Sequence, residues 1–335
     1  MTTFKEIRGT AIQVVSSDPS NPETGQIWYN SSSGTLKGYQ LANVNAWASG
    51  GNTNHSGSNM SGTGSQTAAL ILGGEGTPSF PTSTEKYNGT SWTTTGNYPR
   101  GIIGPSLFGS QTAAVAAGGV TDTVPPAFNT GETNTFNGTS WTTVPATLNQ
   151  ARSQMAFFGS SQTAGIACGG DQRSGGTFYS NTEQWNGSIW TAKNALNTAR
   201  GYFAGGGTET AAVVFGGSIS PYPTVSAATE TWNGTSWTSV TSMGTGRQFV
   251  SGTPAGTQTA VLAISGQTSV ATPSTAVEQW NGSSWTTVPS VSTARVGGAG
   301  VGSATLGLIA SGGNPLTATE EWTGQALQVK TITVS

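Results

Sequence analysis

The sequence predicts an all-β fold, a six-bladed β-propeller of four-stranded blades with a short N-terminal β-rich extension. An aromatic-Asn-Gly step recurs every 42–49 residues, and a Trp follows five residues after most copies. A Gly-Gly pair precedes each step at the end of an apolar run, with Ser265-Gly266 taking its place in one copy. A repeat of this length built from short strands is typical of propeller blades.

The aromatic residues of the repeat are predicted to form the core between blades. Those of the step are Tyr87, Phe136, Trp185, Trp232, Trp280 and a last variant at Trp322, and the following ones are Trp92, Trp141, Trp190, Trp237 and Trp285. Asn-Gly between two apolar runs favours a hairpin, because both residues tolerate a positive φ. Each Trp, if fully buried, should cost roughly 3–5 kcal/mol when truncated to Ala.

The Asn-Gly-Thr/Ser triplets of the same step also fit the pattern for N-glycosylation. They begin at Asn88, Asn137, Asn186, Asn233 and Asn281. Because the triplet recurs in register with the predicted strands, a turn is the favoured interpretation.

Three segments are predicted along the chain: an N-terminal attachment segment at 1–42, a propeller at 43–324, and a C-terminal strand or tail at 325–335. The first segment contains Asp18-Pro19 and the run Gly25-Gln26-Ile27-Trp28-Tyr29-Asn30. These residues indicate a Pro-punctuated loop that leads into a β-hairpin. They resemble segments near the N-termini of tailed-phage fibre and virion proteins, which implies docking on another particle protein. An ordinary N-terminal cap on the ring remains the alternative.

Within each blade, four strands a to d are expected from the axis outward. Strand a follows an Arg and is rich in small residues, strand b ends at the Gly-Gly pair, and strands c and d form the Asn-Gly hairpin. The arginines are Arg100, Arg152, Arg200, Arg247 and Arg295. This order resembles the kelch repeat over residues 43–324, although Asn-Gly stands where kelch repeats usually carry an acidic residue. The resemblance implies the fold and leaves function open.

The last blade lacks a Trp-bearing strand d of its own. Residues 43–49, which contain Trp47, are predicted to pair with 317–323 and close the ring. The alternating tail at 327–334 is the competing donor.

A Glu recurs two residues before the strand-c aromatic at Glu85, Glu183, Glu230, Glu278 and Glu320, with Asn134 in the second blade. Because both charges recur in register, a structural set of Arg–carboxylate pairs is expected. A carboxylate cluster that holds Ca²⁺ at the pore is the alternative.

Composition excludes several classes of function. The chain has a net charge of −2 and no basic run, which disfavours a nucleic-acid partner. No apolar run is long enough to insert into a membrane, and the first ten residues lack the apolar core of a Sec-type signal peptide. Cys168 is the single cysteine and is interpreted as a small buried hydrophobe.

No catalytic residue, metal site or cofactor is predicted. His55 is the only His, so a Ser-His-Asp triad or a His-ligated metal site cannot be built in one chain. The enzymatic alternative is a glycan-cleaving, sialidase-like protein, because Gly89-Thr90-Ser91-Trp92 resembles the end of the sialidase Asp-box. Tyr87 occupies the place of the Asp of that box.

The connections between strands b and c differ from blade to blade and carry aromatics on loops that are often stiffened by Pro. Antiparallel alternation places them at the same end as the d–a connections, opposite the Asn-Gly turns. Exposed aromatics on such loops suit binding of a glycan or a protein. The candidate ligand-binding residues are Phe80, Phe128, Phe178, Tyr179 and Tyr222. Local packing over the blade edges is the alternative.

Together these observations predict a non-enzymatic virion protein of a tailed phage, made in the host cytoplasm and carried on the particle. Its partners would be other virion proteins through the N-terminal segment and a host-surface glycan or protein. A cellular kelch-type scaffold is a further alternative. The sequence leaves homo-oligomerisation open.

Overall fold

The computed structural model describes residues 12–76, 79–121, 128–172, 176–269, 272–313 and 315–332. All regular elements within these ranges are β-strands, so the fold is all-β and propeller-like. None of the described residues forms a helix that could cross a membrane. The chain divides into two compact units, Met1–Asn45 with Thr323–Ser335, and Ala46–Trp322. The C-terminal residues thus group with the N-terminal segment.

The first unit contains a small sheet tied together by one carboxylate. Its strands are β1 (Gln13–Val15), β2 (Ile27–Asn30) and the first part of β3 (Thr35–Gly50). β1 runs parallel to β2, and β2 runs antiparallel to β3. Asp18 accepts hydrogen bonds from Lys37 Nζ at 2.8 Å and from the fully buried Trp28 Nε1 at 3.0 Å. The bond from Lys37 contributes most to lowering the pKa of Asp18 to about 2.

The second unit contains five four-stranded antiparallel sheets, each made of consecutive repeat strands. Sheets 1 to 5 are defined here by their strands, in the order a, b, c, d. Sheet 1 is β4 (Gly57–Ser65), β5 (Ala68–Gly76), β6 (Thr84–Tyr87) and β7 (Trp92–Thr95). Sheet 2 is β9 (Ser106–Gly109), β10 (Ala114–Ala117), β13 (Glu132–Phe136) and β14 (Trp141–Thr147). Sheet 3 is β15 (Ala156–Ser161), β16 (Ala164–Cys168), β19 (Thr182–Trp185) and β20 (Trp190–Lys193).

The next two sheets repeat the same order. Sheet 4 is β21 (Ala204–Gly207), β22 (Ala212–Phe215), β25 (Thr229–Trp232) and β26 (Trp237–Val240). Sheet 5 is β27 (Ser251–Gly252), β28 (Val261–Ile264), β31 (Val277–Trp280) and β32 (Trp285–Val288). Short strands pair within the b–c connections: β8 (Ile102–Ile103) with β11 (Val120–Thr121) and β12 (Phe128–Asn129), β17 (Asp171–Gln172) with β18 (Thr177–Phe178), β23 (Ser218–Ile219) with β24 (Thr224–Val225), and β29 (Gln267–Ser269) with β30 (Thr272–Pro273).

Sheet 6 combines the two ends of the chain. It contains β33 (Ala299–Gly302), β34 (Leu306–Ala310) and β35 (Thr319–Thr331), and β3 follows β35 in the strand order. Trp47 of β3 lies 5.3 Å from Trp322 between ring centroids, and its Nε1 donates to Pro289 O at 2.9 Å. Residues 327–331 continue β35 and do not form a separate outer strand. Residues 333–335 lie outside the described ranges.

The Asn-Gly turns are hairpins, as the sequence predicts, but only the glycine and not the asparagine adopts a positive φ. In sheet 1 the paired residues are Tyr87 and Trp92, so the loop has the four residues 88–91. Gly89 has φ +89°, whereas Asn88 is absent from the residues with positive φ. Asn88 acts through its side chain, since its Oδ1 accepts from the N–H groups of Thr90 and Ser91 at 3.0 and 2.9 Å. The same side-chain contact recurs at Asn137, Asn186, Asn233 and Asn281.

The core of the second unit lies between sheets. Six apolar clusters among the described residues each combine residues of two sheets, one of them joining Ala299 and Leu308 of sheet 6 to Ile71 of sheet 1. The strand-d Trp links neighbours as well: Trp237 Nε1 donates to Thr182 of sheet 3 at 3.0 Å. Because each sheet buries its aromatics against the neighbouring sheets, the repeat is stable only as an array.

Candidate functional site

A layer of buried ion pairs supports the end of the sheets that carries the b–c connections. Arg200 Nη2 lies 2.8 Å from Glu230 Oε1, and its Nη1 donates to the carbonyl oxygens of Gly216 and Ala228 at 3.1 and 2.8 Å. The side chain of Arg200 is fully buried, and burial lowers its pKa while Glu230 opposes that change. Equivalent buried pairs are Arg152–Glu183, Arg247–Glu278 and Arg295–Glu320. These bonds fix the backbone that leads into each inner strand.

The first two sheets depart from this layer. In sheet 2, Arg100 pairs at 2.8 Å with Glu132, two residues before Asn134, and 37% of its side chain is exposed. In sheet 1, His55 stands where the other sheets have Arg, and Glu85 accepts the backbone N–H groups of Asn54 and His55. His55 Nε2 is buried and makes no hydrogen bond among the described residues. Burial lowers the pKa of His55.

Two to five residues after each Arg of this layer, or after His55 in sheet 1, backbone hydrogen bonds join sheets 1 to 6 in a cycle. Each N–H donates to the carbonyl of the preceding sheet, from Gly104 to Asn59, Gln154 to Gly104, Tyr202 to Gln154, Phe249 to Tyr202, Gly297 to Phe249, and Met60 back to Gly297, at 2.7–3.3 Å. The six acceptor residues all have positive φ, between 52° and 60°. The cycle therefore requires the left-handed conformation once per sheet.

Four of these six positions carry a side chain although glycine fits them best. Gly104 and Gly297 adopt the conformation without strain, whereas Tyr202 and Phe249 are bulky residues for which a positive φ is a genuine outlier. Such a residue costs about 1–3 kcal/mol unless its surroundings compensate. Strain of this kind concentrates at functional sites, which makes these side chains candidates for a binding role.

The four side chains line a cavity of about 110 Å³ together with residues of the inner strands. We call this group the mouth and define it by Asn59, Gln154, Tyr202 and Phe249, all of which are half-buried. The rings of Tyr202 and Phe249 lie 4.4 Å apart between centroids at 45°. Asn59 lies over Gly297 and Gln154 over Gly104, where an added Cβ would collide with either amide. The two glycines thus make room for the two amides.

A buried carboxylate orients one side of the mouth. Tyr202 OH donates to Asp171 Oδ2 at 2.6 Å, and Ser153 Oγ donates to Asp171 Oδ1 at 2.6 Å. Asp171 is only 4% exposed and begins β17, so it lies behind the tyrosine and not among the residues that line the cavity. This arrangement fixes the ring of Tyr202 and places negative charge behind it.

The structure brings together two of the five predicted ligand-binding aromatics. Phe178 is 7% exposed and contacts the rings of Tyr202 and Tyr222, at centroid distances of 6.3 and 6.4 Å. Tyr222 is 49% exposed. Tyr179 is half-buried, and its hydroxyl donates to Gln172 Oε1 at 3.4 Å.

The other two predicted aromatics take no part in these ring contacts of the described residues. Phe128 is 56% exposed on β12, and Phe80 is half-buried. The predicted loop residues at 77–78 and 122–127 lie outside the described ranges. The predicted site therefore divides into a cluster beside the mouth and two separate aromatics.

Sequence reasoning missed the mouth itself. Tyr202 was expected within the inner strand, which begins only at Ala204. In sheets 3 to 6 the residue two places after the repeated Arg is Gln154, Tyr202, Phe249 or Gly297, and the residues on either side of it vary as well. The sequence pattern therefore does not distinguish this position from its neighbours.

The described residues contain no group of three or more His, Cys, Asp or Glu that could hold a metal ion. Cys168 is buried, and its burial raises the pKa of the thiol. The mouth offers aromatic rings and amides to a ligand.

Comparison with known proteins identifies the fold and nothing finer. No protein-family model matches the chain, and no curated protein matches it. Among solved structures, the one described as "Structure of YjhT" aligns with a TM-score of 0.67 over 84% of this chain and 99% of that chain. The aligned sequences are 12% identical, so the likeness is one of fold.

Proposed function

We propose that the chain is a non-enzymatic structural and adhesion protein of a tailed-phage virion. Its first unit docks on other virion proteins, and the decorated end of its second unit binds a host-surface glycan or protein. The observation that carries the adhesive part is the group of Phe178, Tyr202, Tyr222 and Phe249, which gathers aromatic rings around the mouth on one end of the sheets.

The second unit is proposed to be a closed ring of six blades, sheets 1 to 6. The cycle of backbone hydrogen bonds returns from Gly297 to Met60, which supports closure. Trp92 Nε1 of sheet 1 also donates to Thr319 Oγ1 of sheet 6 at 3.0 Å, as the equivalent Trp does between consecutive sheets. An experimental structure with another number of blades, or with an open array, would contradict this.

The docking surface is proposed on the outer face of the first unit. Val14 and Tyr29 are register partners on adjacent strands, and they are 65% and 39% exposed. Side chains on one face of a sheet alternate along each strand, so Ile27 lies on the same face as Tyr29. An apolar groove of about 200 Å³, lined by Ile27, Gly38 and Ile332, adjoins them. Exposed apolar surface of this kind marks an interaction site.

Docking is tested by particle incorporation. Val14→Glu places a charge on the apolar face, and we expect the variant to be missing from purified particles by mass spectrometry. Gln13→Glu is the matched control, because Gln13 is exposed and its side chain lies on the opposite face. Incorporation of both variants at wild-type levels would contradict the docking surface.

Adhesion is tested with loop aromatics. Changing Phe80, Phe128, Tyr179 and Tyr222 together to Ala should lower binding to host cells and leave the melting temperature unchanged. Ile189→Ala is the control, since Ile189 is 55% exposed but sits in an Asn-Gly turn at the other end of the sheets. Equal binding by the quadruple variant and the wild type would contradict the proposed face.

A product assay distinguishes the proposed adhesive function from the enzymatic alternative, glycan cleavage. The contact between Tyr202 OH and Asp171 favours the enzymatic alternative, because sialidases use a tyrosine nucleophile. Incubation with sialylated and neutral oligosaccharides should release no product. Turnover that disappears in Tyr202→Phe would replace the adhesive function with a glycan-cleaving one.

A further inference from the structure

We infer that the mouth binds a single uncharged saccharide unit, and that it rejects acidic sugars. This deepens the proposed adhesive function, on which it rests, by naming the ligand class of the central site. Charge, size and the chemistry of the lining residues each support it.

The charges of the described residues disfavour an anionic ligand. No charged side chain lines the cavity among the residues that the structure describes. Each of the five described arginines is paired with a glutamate, and four of them are fully buried in the layer below. An acidic sugar would lose water in the cavity without gaining a cationic partner among the residues that the structure describes.

The size of the cavity fits one ring. Its volume is about 110 Å³, and the side chains of the mouth that line it are half-buried. A cavity of about 150 Å³ accommodates a benzene molecule, so this smaller space admits no more than one six-membered ring and leaves the rest of a saccharide outside it.

The side chains of the mouth match the two surfaces of a pyranose. Tyr202 and Phe249 offer aromatic flanks for its C–H face, and the amides of Asn59 and Gln154 offer donors and acceptors for its hydroxyl groups. Asn59 Oδ1 has no hydrogen-bond partner among the described residues, so a ligand hydroxyl would satisfy it once the amide turns toward the cavity. The rings of Tyr202 and Phe249 thus stand at backbone positions that favour glycine.

The methionines allow a direct test on the intact chain. The chain has four methionines: Met60 and Met155 line the cavity, Met243 packs in a cluster between sheets 4 and 5, and Met1 lies outside the described ranges. With ¹³C-labelled methionine methyls, methyl hexopyranosides and N-acetylhexosamine are titrated against N-acetylneuraminic and glucuronic acids. We expect at least one uncharged sugar to shift the Met60 and Met155 signals and to leave that of Met243 in place, and we expect no shift from the acids.

Two variants locate the binding. Phe249→Gly keeps the backbone conformation and should weaken the uncharged sugar by about tenfold or more, because an aromatic anchor is lost. Ile189→Ala, which changes an exposed residue in an Asn-Gly turn at the other end of the sheets, should bind as the wild type does. Shifts caused equally by the acids, or the absence of any shift with the uncharged sugars, would overturn the inference on the wild-type chain alone, whether or not Phe249→Gly folds.

The outcomes separate this inference from the adhesive function. If the chain adheres to host cells but no uncharged sugar reaches the mouth, the inference fails and the adhesive function stands. If an uncharged sugar binds at the mouth but the chain adheres to no host surface, the adhesive function fails and the inference stands.

Discussion

Arg247 and Phe249 are two residues apart and belong to regions with opposite properties. Arg247 is fully buried, pairs with Glu278 at 3.0 Å and has equivalents in sheets 3, 4 and 6. Phe249 occupies a strained position of the mouth, where the equivalent residues are Gln154, Tyr202 and Gly297. In a repeated fold, a position that every repeat needs keeps its residue type. A position that is free to vary yet carries a strained side chain is a candidate for function.

The largest loss of stability is expected when one of the buried Arg–Glu pairs is broken. Arg200→Met leaves Glu230 buried without its partner, which should lower the free energy of unfolding by about 3–5 kcal/mol. The double variant Arg200→Met/Glu230→Leu should recover much of that loss, because replacing both members of a buried pair is often neutral. Urea unfolding followed by Trp fluorescence measures both.

Arg100 provides the matched control for this layer. Its side chain is 37% exposed, so Arg100→Met should lower the free energy of unfolding by only about 1 kcal/mol or less. Similar losses for Arg100→Met and Arg200→Met would show that burial does not distinguish the two pairs.

The next largest loss of stability is expected from substitutions in the cycle of backbone hydrogen bonds. Both Gly297→Ala and Gly104→Ala introduce a Cβ at a positive φ, but the Cβ at 297 would lie 2.6 Å from the backbone nitrogen of Asn59. At 104 it would meet the end of the flexible Gln154 side chain. We expect losses of about 2–3 kcal/mol for Gly297→Ala and about 1 kcal/mol for Gly104→Ala in urea unfolding. A larger loss at Gly104 would contradict the close approach at Gly297.

The smallest expected change in stability concerns His55 of sheet 1, which stands where the other sheets have an arginine. Because burial lowers the pKa of folded His55 below its ordinary value of 6.5, the unfolded chain takes up the proton more readily. Its contribution to stability is therefore full above pH 6.5 and is lost as the pH falls below that value. The opposing carboxylate of Glu85 weakens this dependence.

The His55 prediction is checked by urea unfolding between pH 4.5 and 6.5. The pKa of Glu320 is held below its ordinary value of 4.5, so the stability that this residue contributes begins to fall only below pH 4.5. His55→Gln should flatten the profile in this window. A variant profile as steep as that of the wild type would assign the dependence to another group.

The sequence predicted the all-β, propeller-like fold because the signals for it are local or repeated. Gly89 and its equivalents mark each turn, and the spacing of Trp232 and Trp237 places both on paired strands. The pairing of the repeated Arg with the repeated Glu could be predicted for the same reason. Glu132 was not predicted as the partner of Arg100, because it lies two residues before Asn134, which occupies the position of the repeated Glu in sheet 2.

The candidate site was only partly accessible from sequence. Phe178 and Tyr222 could be proposed because they lie in irregular connections, but the burial of Phe178 depends on Tyr202 from the next repeat. The mouth depends on a left-handed backbone at Tyr202 and Phe249, and a bulky aromatic residue gives no local indication of that conformation. The cycle that imposes it arises from contacts between repeats, about fifty residues apart.

The most direct test of the division between a stabilising layer and a binding mouth compares Arg247→Met with Phe249→Gly in one titration, with affinity for the uncharged sugar measured per folded molecule. We expect Arg247→Met to lower the free energy of unfolding by about 3–5 kcal/mol while its folded fraction binds normally. Phe249→Gly should lose binding and change stability by about 1 kcal/mol or less, since relief of backbone strain offsets lost packing. Normal binding by folded Phe249→Gly, together with lost binding by folded Arg247→Met, would contradict this account.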